Sequence, residues 1–212
     1  MEARGEPTAE VQPGIVLEPD ILPVPLEWPE VFGNRRPVEV EIGFGKGGFL
    51  LQVAQRFPER NFVGLETAAK MVEYTAERLR KRALRNVRLL RTDAHYFLER
   101  FVRDASIAAF HIYFPDPWPK RRHRKRRLLA PEFLQTLQRV LAPGGRVYFA
   151  TDFQEYFAET QQLFSTFLAF QPLDPGDWVA RRPEEAITNY EVKYRCEGRA
   201  IFYALYERAG AA

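Results

Sequence analysis

Val38-Glu39-Val40-Glu41-Ile42-Gly43-Phe44-Gly45-Lys46-Gly47-Gly48 begins as a β-branched run and breaks into a turn dense in glycine. Residues Val38 to Ile42 suit a strand. The glycines permit positive φ and a close approach of backbone to a ligand before a helix opens at Gly48. Working outward, short strand patterns recur at Asn61 to Leu65, Val87 to Thr92, Ile107 to Phe114 and Arg146 to Thr151. Helix-spaced apolar positions fill the intervals Gly48 to Phe57, Ala68 to Ala83, Ala94 to Val102 and Pro131 to Leu141. A further amphipathic stretch runs from Phe153 to Phe170, and an aromatic-rich strand pattern from Arg199 to Tyr206 closes the chain. Alternating strands and helices predict an α/β, doubly wound, Rossmann-like sheet with helices on both faces. In such sheets ligands sit beyond the carboxyl ends of the strands.

Seven of the sixteen prolines fall within residues 1–37. Proline fixes φ and removes a donor, so this segment reads as an extended arm preceding one domain over 38–212. Apolar residues make up 46% of the 212 and charged residues 28%, which suits a chain with a real core and excludes a disordered or collagen-like one. No apolar run approaches the ~18 residues of a membrane span, and the first thirty residues lack a secretory pattern. The single cysteine, Cys196, excludes an internal disulfide framework. The expectation is a cytoplasmic protein with no membrane contact.

Acidic residues recur at the strand ends: Glu41, Glu66, Asp93 and Asp116, spaced by 25, 27 and 23 residues. Each interval is one βα unit, so the four should converge on one edge of the sheet. Any one of them alone also reads as a solvated loop residue. The glycine spacing by itself is ambiguous, since Gly43, Gly45 and Gly48 also satisfy the dinucleotide pattern. A pyrophosphate, however, would be repelled by Glu41 and Asp116. S-adenosylmethionine offers instead a sulfonium, an ammonium, ribose hydroxyls and an adenine amino group, all of which carboxylates can serve.

The net charge of +3 hides a strong asymmetry. Lys120, Arg121, Arg122, Arg124, Lys125, Arg126 and Arg127 lie within eight positions, and without those seven the chain holds 24 basic against 28 acidic residues. Like charges at i and i+4 oppose a solvated helix, whereas a phosphate partner removes the conflict. A nucleic acid is the expected partner. Just before the strip, Pro115-Asp116-Pro117-Trp118-Pro119 stiffens the loop around Asp116, and Trp118 offers a flat face for a base.

These residues, Glu41-Ile42-Gly43-Phe44-Gly45 together with Pro115 to Lys120 and Arg121 to Arg127, resemble the bacterial tRNA (guanine-N7-)-methyltransferases, a class I S-adenosylmethionine-dependent family. Thr151-Asp152 and Thr188-Asn189-Tyr190-Glu191 are further matches, and the likeness runs from about Val38 to Tyr206. The resemblance implies that Glu41, Gly43, Gly45, Glu66, Asp93 and Asp116 contact the methyl donor. It implies that Lys120, Asp152, Thr188, Asn189, Tyr190 and Glu191 face the guanine, and that Arg121, Arg122, Arg124, Lys125, Arg126 and Arg127 meet the RNA. The implied target is guanine 46 of the tRNA variable loop. Thr188 and Glu191 also have the spacing of a capping box.

Guanine N7 carries an available lone pair, so its methylation needs neither a general base nor a covalent intermediate. The sequence has no nucleophile elbow around Ser106 or Ser165, and His95, His111 and His123 lack metal-ligand spacing. No metal and no obligatory protein partner are expected. Positive charge develops on the guanine ring during transfer, and Asp116 is the candidate to stabilise it. Two rivals remain: a methyltransferase acting on an exocyclic amine, since Asp116-Pro117-Trp118 resembles that group's motif, and a binding module of the same fold without catalysis.

Overall fold

The computed structural model describes residues 14–176 and 188–210. The first elements are β1 (Val16–Leu17), a 3-10 turn (Pro19–Ile21) and α1 (Trp28–Phe32). Next come β2 (Val38–Ile42), α2 (Gly48–Arg56), β3 (Asn61–Glu66), α3 (Ala69–Lys81), β4 (Val87–Arg91), α4 (Ala94–Phe101) and β5 (Ile107–Tyr113). A second 3-10 turn (Arg121–Arg126) precedes α5 (Pro131–Val140), β6 (Leu141–Thr151), α6 (Gln154–Ser165) and β7 (Phe170–Leu173). Helix α7 (Asn189–Cys196) and strand β8 (Phe202–Arg208) follow. Among the described residues no helix is long and apolar enough to cross a membrane.

The eight strands form one sheet in the order β1-β4-β3-β2-β5-β6-β8-β7. Strands β1 to β6 pair in parallel, while β8 runs antiparallel to β6 and β7 antiparallel to β8. The doubly wound arrangement foreseen from the strand and helix patterns is the one found. After β2 the chain winds outward through β3 and β4, then returns to lay β5 against the other side of β2. This reversal opens a crevice past the ends of β2 and β5.

Alternation along β2 sorts the two layers. Val38, Val40 and Ile42 join one core with Phe97, Leu98, Phe133, Leu134 and Leu137 of α4 and α5. Glu39 and Glu41 point the other way, toward the layer where Phe49, Leu50 and Val53 of α2 pack with Val72, Ala76 and Leu79 of α3.

Three expectations differ from the structure. Residues 14–37, read as an extended arm, lay Leu17, Leu26, Trp28, Val31 and Phe32 into the main core. Pro29 sits in the first turn of α1, where the missing donor costs nothing. Residues 1–13 of that arm lie outside the described residues. Strand β6 begins at Leu141, ahead of the expected Arg146, because a register shift opposite Ile107 to Ala109 absorbs the Pro143-Gly144-Gly145 turn residues. The stretch from Phe153 to Phe170 divides, its helix ending at Ser165 and its last residue opening β7.

Candidate active site

Because β2 to β5 are parallel, their carboxyl ends share one rim, and all four acids lie there. Glu41 is near the end of β2, Glu66 ends β3, Asp93 caps α4 just past β4, and Asp116 follows β5. All four, with Gly43 and Gly45, line a single cleft of about 830 Å³. That volume suits a nucleoside-sized ligand.

The floor is the glycine turn, where Gly43, Gly45 and Gly47 have φ of 75°, 50° and 66°. The need is plainest at Gly47: a Cβ there would lie 2.2 Å from Thr75 Cγ2, so any side chain would force Thr75 to shift. Thr75 in turn donates from its hydroxyl to the Gly45 carbonyl at 3.1 Å, tying the turn to α3. The Glu66 carboxylate braces the same turn, accepting from Gly45 N–H at 3.0 Å and from Thr67 and Ala68 N–H at 2.8 and 3.1 Å. Asp93 accepts from Tyr96 N–H at 2.9 Å as the N-cap of α4. Glu66 and Asp93 are thus held by backbone donors before any ligand arrives.

Glu39 and Glu41, two residues apart on one face, have opposite electrostatic fates. Burial raises the proton affinity of Glu39, but the His111 hydrogen bond and the charges of His111 and Arg60 outweigh it and hold the carboxyl below 4.5. Arg60 donates to it at 2.7 Å, and His111 Nε2 shares a 2.8 Å hydrogen bond with its other oxygen. Among the described residues no cation pairs with Glu41. Burial and the charge of Glu66 push its carboxyl up to about 8, against a smaller opposing effect from the Leu50 backbone. It is 4% exposed, and its Oε2 has no hydrogen-bond partner among the described residues. A buried acid with one oxygen left without a donor, lining a cleft, is suited to a cationic ligand. Four carboxylates lining one cleft could serve a ligand that carries a cationic centre, hydroxyls and an amino group.

The cleft's outer wall is the Asp116 loop. Phe114 and Trp118, on either side of Asp116, have φ of 51° and 41°. Bulky residues rarely adopt this left-handed region. Each precedes a proline, which bars the ordinary right-handed helical geometry, and Phe114 N–H is fixed to the Ala150 carbonyl at 2.7 Å. Asp116 itself is exposed and faces the cleft, with Trp118 beside it.

Of the residues that the resemblance assigned to guanine, Thr188, Asn189 and Tyr190 line the cleft. Asn189 packs its side chain against Gly48 of α2. Thr188 Oγ1 accepts from Glu191 N–H at 3.0 Å, so it caps α7. Glu191 is fully buried outside the cleft lining and bonds Arg195 at 2.7 Å and the Tyr203 hydroxyl at 2.6 Å. Asp152 also lies outside the lining and pairs with Arg199 at 2.7 Å. Lys120 is exposed at the start of the second 3-10 turn.

The basic strip divides. Arg121, Arg122, Lys125 and Arg126 are exposed, and Arg126 also lines the cleft and lies over the Trp118 ring at 5.1 Å. Arg127 is buried and Arg124 half-buried, both engaged by Glu155 and Glu159 of α6. Six consecutive residues of the strip form a 3-10 turn, in which side chains at i and i+3 align, so Arg121 stands over Arg124 and Arg122 over Lys125.

A family model described as "Putative methyltransferase" matches residues 35–204. A tRNA (guanine-N(7)-)-methyltransferase of Geobacter metallireducens is 36% identical over 94% of this chain and 95% of its own length. One from Syntrophotalea carbinolica is 35% identical over 94% of this chain and 86% of its own. The chain belongs to this methyltransferase family. A solved rRNA methylase from Streptococcus thermophilus shares the fold, with a TM-score of 0.54 and 16% identity over 84% of this chain and 89% of that one.

Three features of this methyltransferase escape sequence reasoning. Phe44, Tyr113 and Phe114 line the cleft, yet read in the sequence as a turn and strand residues. The left-handed Phe114 and Trp118 are hinted at only by the prolines that follow them. The engagement of Arg124 and Arg127 needs Glu155 and Glu159, some thirty residues downstream, and periodicity alone does not pair them.

Proposed function

We propose that this methyltransferase transfers the methyl group of S-adenosylmethionine to N7 of a guanine in tRNA, at position 46 of the variable loop as the resemblance implies. The observation that carries the reading is the buried Glu41, whose Oε2 has no hydrogen-bond partner among the described residues, set among four acids in one cleft beside an exposed arginine-rich lip. The bound donor supplies an electrophilic methyl group on a sulfonium.

The chain's own residues do the rest. Glu41, Glu66 and Asp93, with the Gly43 and Gly45 backbone, hold the donor. Asp116 lines the same cleft, where a carboxylate stabilises the positive charge that grows on the guanine ring. Asn189 and Tyr190 reach the guanine directly. Thr188 and Glu191 act from behind them by fixing α7, and Asp152 and Lys120 meet the substrate from outside the donor cleft. The exposed basic residues hold tRNA phosphates. On this reading the enzyme acts in the cytoplasm without an obligatory protein partner.

Purified protein incubated with unmodified tRNA and methyl-labelled donor should yield 7-methylguanosine on nucleoside analysis, and mapping should place it in the variable loop. A label on an exocyclic amine would replace this reading with the amine-methylating one, and no label with donor still bound would leave a binding module. Asp116→Ala should lower turnover by about 100-fold or more while tRNA affinity is kept. Near-normal methylation by that variant would reject its role.

A further inference from the structure

Helix α6 carries two acids, Glu155 and Glu159, one turn apart and facing Arg124 and Arg127 at the end of the second 3-10 turn. Arg124 bonds both, reaching Glu159 at 3.0 Å, and Arg127 bonds Glu159 and lies 3.7 Å from Glu155. Arg127 is 6% exposed, its guanidinium 4.9 Å from the Tyr156 ring centre. Its Nε donates to the carbonyl of Pro117, the residue after Asp116, at 2.7 Å. One guanidinium thus joins α6 to the backbone of the loop that presents the candidate catalytic acid. A planar fork is required for this, since two different edges of the group are in use.

We propose that Glu155 and Glu159 are positioning residues: through Arg124 and Arg127 they clamp the Asp116 loop onto α6, and they leave Arg121, Arg122, Lys125 and Arg126 as the cations of the strip that meet RNA phosphate. Charge bookkeeping supports the division. A guanidinium already neutralised by carboxylates gains little from a phosphate and releases few counterions. Both carboxylates are about half-exposed, so replacing either leaves the core intact. The RNA half of the proposal rests on the function proposed above. The clamp half does not.

Two experiments on the full chain separate them. Hydrogen exchange on the free protein tests the clamp without RNA: Glu159→Gln should speed exchange of amides between Trp118 and Leu128 by about 10-fold or more, with the global unfolding midpoint little changed. Unchanged exchange there would overturn the clamp. The second is tRNA binding against salt. Arg121→Gln and Arg122→Gln should each reduce the slope of log affinity against log salt by about 0.7–0.9, while Arg127→Gln and Arg127→Lys leave it unchanged. Arg127→Lys should also lower kcat with little change in KM for tRNA, because lysine keeps the charge and loses the fork. Full activity in Arg127→Lys, or a slope loss in Arg127→Gln equal to that of Arg121→Gln, would make Arg127 a phosphate contact and overturn the division. If the wild type bound no tRNA at all, the RNA reading would fall, and the exchange result would still decide the clamp.

Discussion

Glu41→Gln isolates the electrostatic cost of the donor site. The carboxyl titrates near 8 in the fold and near 4.5 when unperturbed. Between these values the folded chain binds the extra proton, so folding stability falls as pH rises and the stabilisation is lost through pH 8. Integrated from pH 5 to 9, the loss is about 4 kcal/mol at roughly 1.4 kcal/mol per pH unit. Glutamine keeps the shape and removes the titration. Its amide adds a pH-independent term of its own, so the observable is the difference between two curves. Urea denaturation of both proteins at half-unit intervals should show the wild type losing about 4 kcal/mol relative to the variant across that range. Curves that run parallel would refute the buried, uncompensated carboxyl. Calorimetry adds a second reading: donor binding at pH 7 should release close to one proton in the wild type and none from this site in the variant. It should also stabilise the wild type by about 2.7 kcal/mol at a hundred times Kd.

Two further outcomes are expected. Gly47→Ala combines a positive φ with a Cβ driven into Thr75 and should cost about 1–3 kcal/mol in urea unfolding; an unchanged midpoint would show that the turn relaxes freely. Thr188→Ala should cost about 1 kcal/mol by releasing the α7 cap, and Thr188→Ser should restore both stability and KM for tRNA. If serine restores stability alone, the threonine also contacts substrate through its methyl group.

Much of the fold was legible because parallel βα units repeat a local pattern. Strand β2 was placed at its observed residues, and α2, α4 and α5 within a residue at each end. The convergence of Glu41, Glu66, Asp93 and Asp116 followed from one fact, that each interval is a single βα step. What local pattern could not show was pairing at a distance. Glu39 and Glu41 are the same residue type on the same strand face, yet only the fold puts His111 and Arg60 beside the first and Glu66 beside the second. The same holds for the proline-rich segment, whose prolines were visible but whose burial of Trp28 and Phe32 depends on what α1 meets. The basic strip reads as uniform, and its division into engaged and exposed arginines comes from α6.

The contact between Gly48 and Asn189 bears on the order of events. A Cβ at residue 48 would lie 2.2 Å from the asparagine's Oδ1, so the start of α2 and the start of α7 share a wall one hydrogen thick. Whatever settles the glycine turn around an incoming nucleoside also sets the seat of Asn189 and Tyr190. On the proposed function, the pocket for the methyl source and the ledge for its acceptor form a single mechanical unit, and a mutation that reshapes one shifts its neighbour as well.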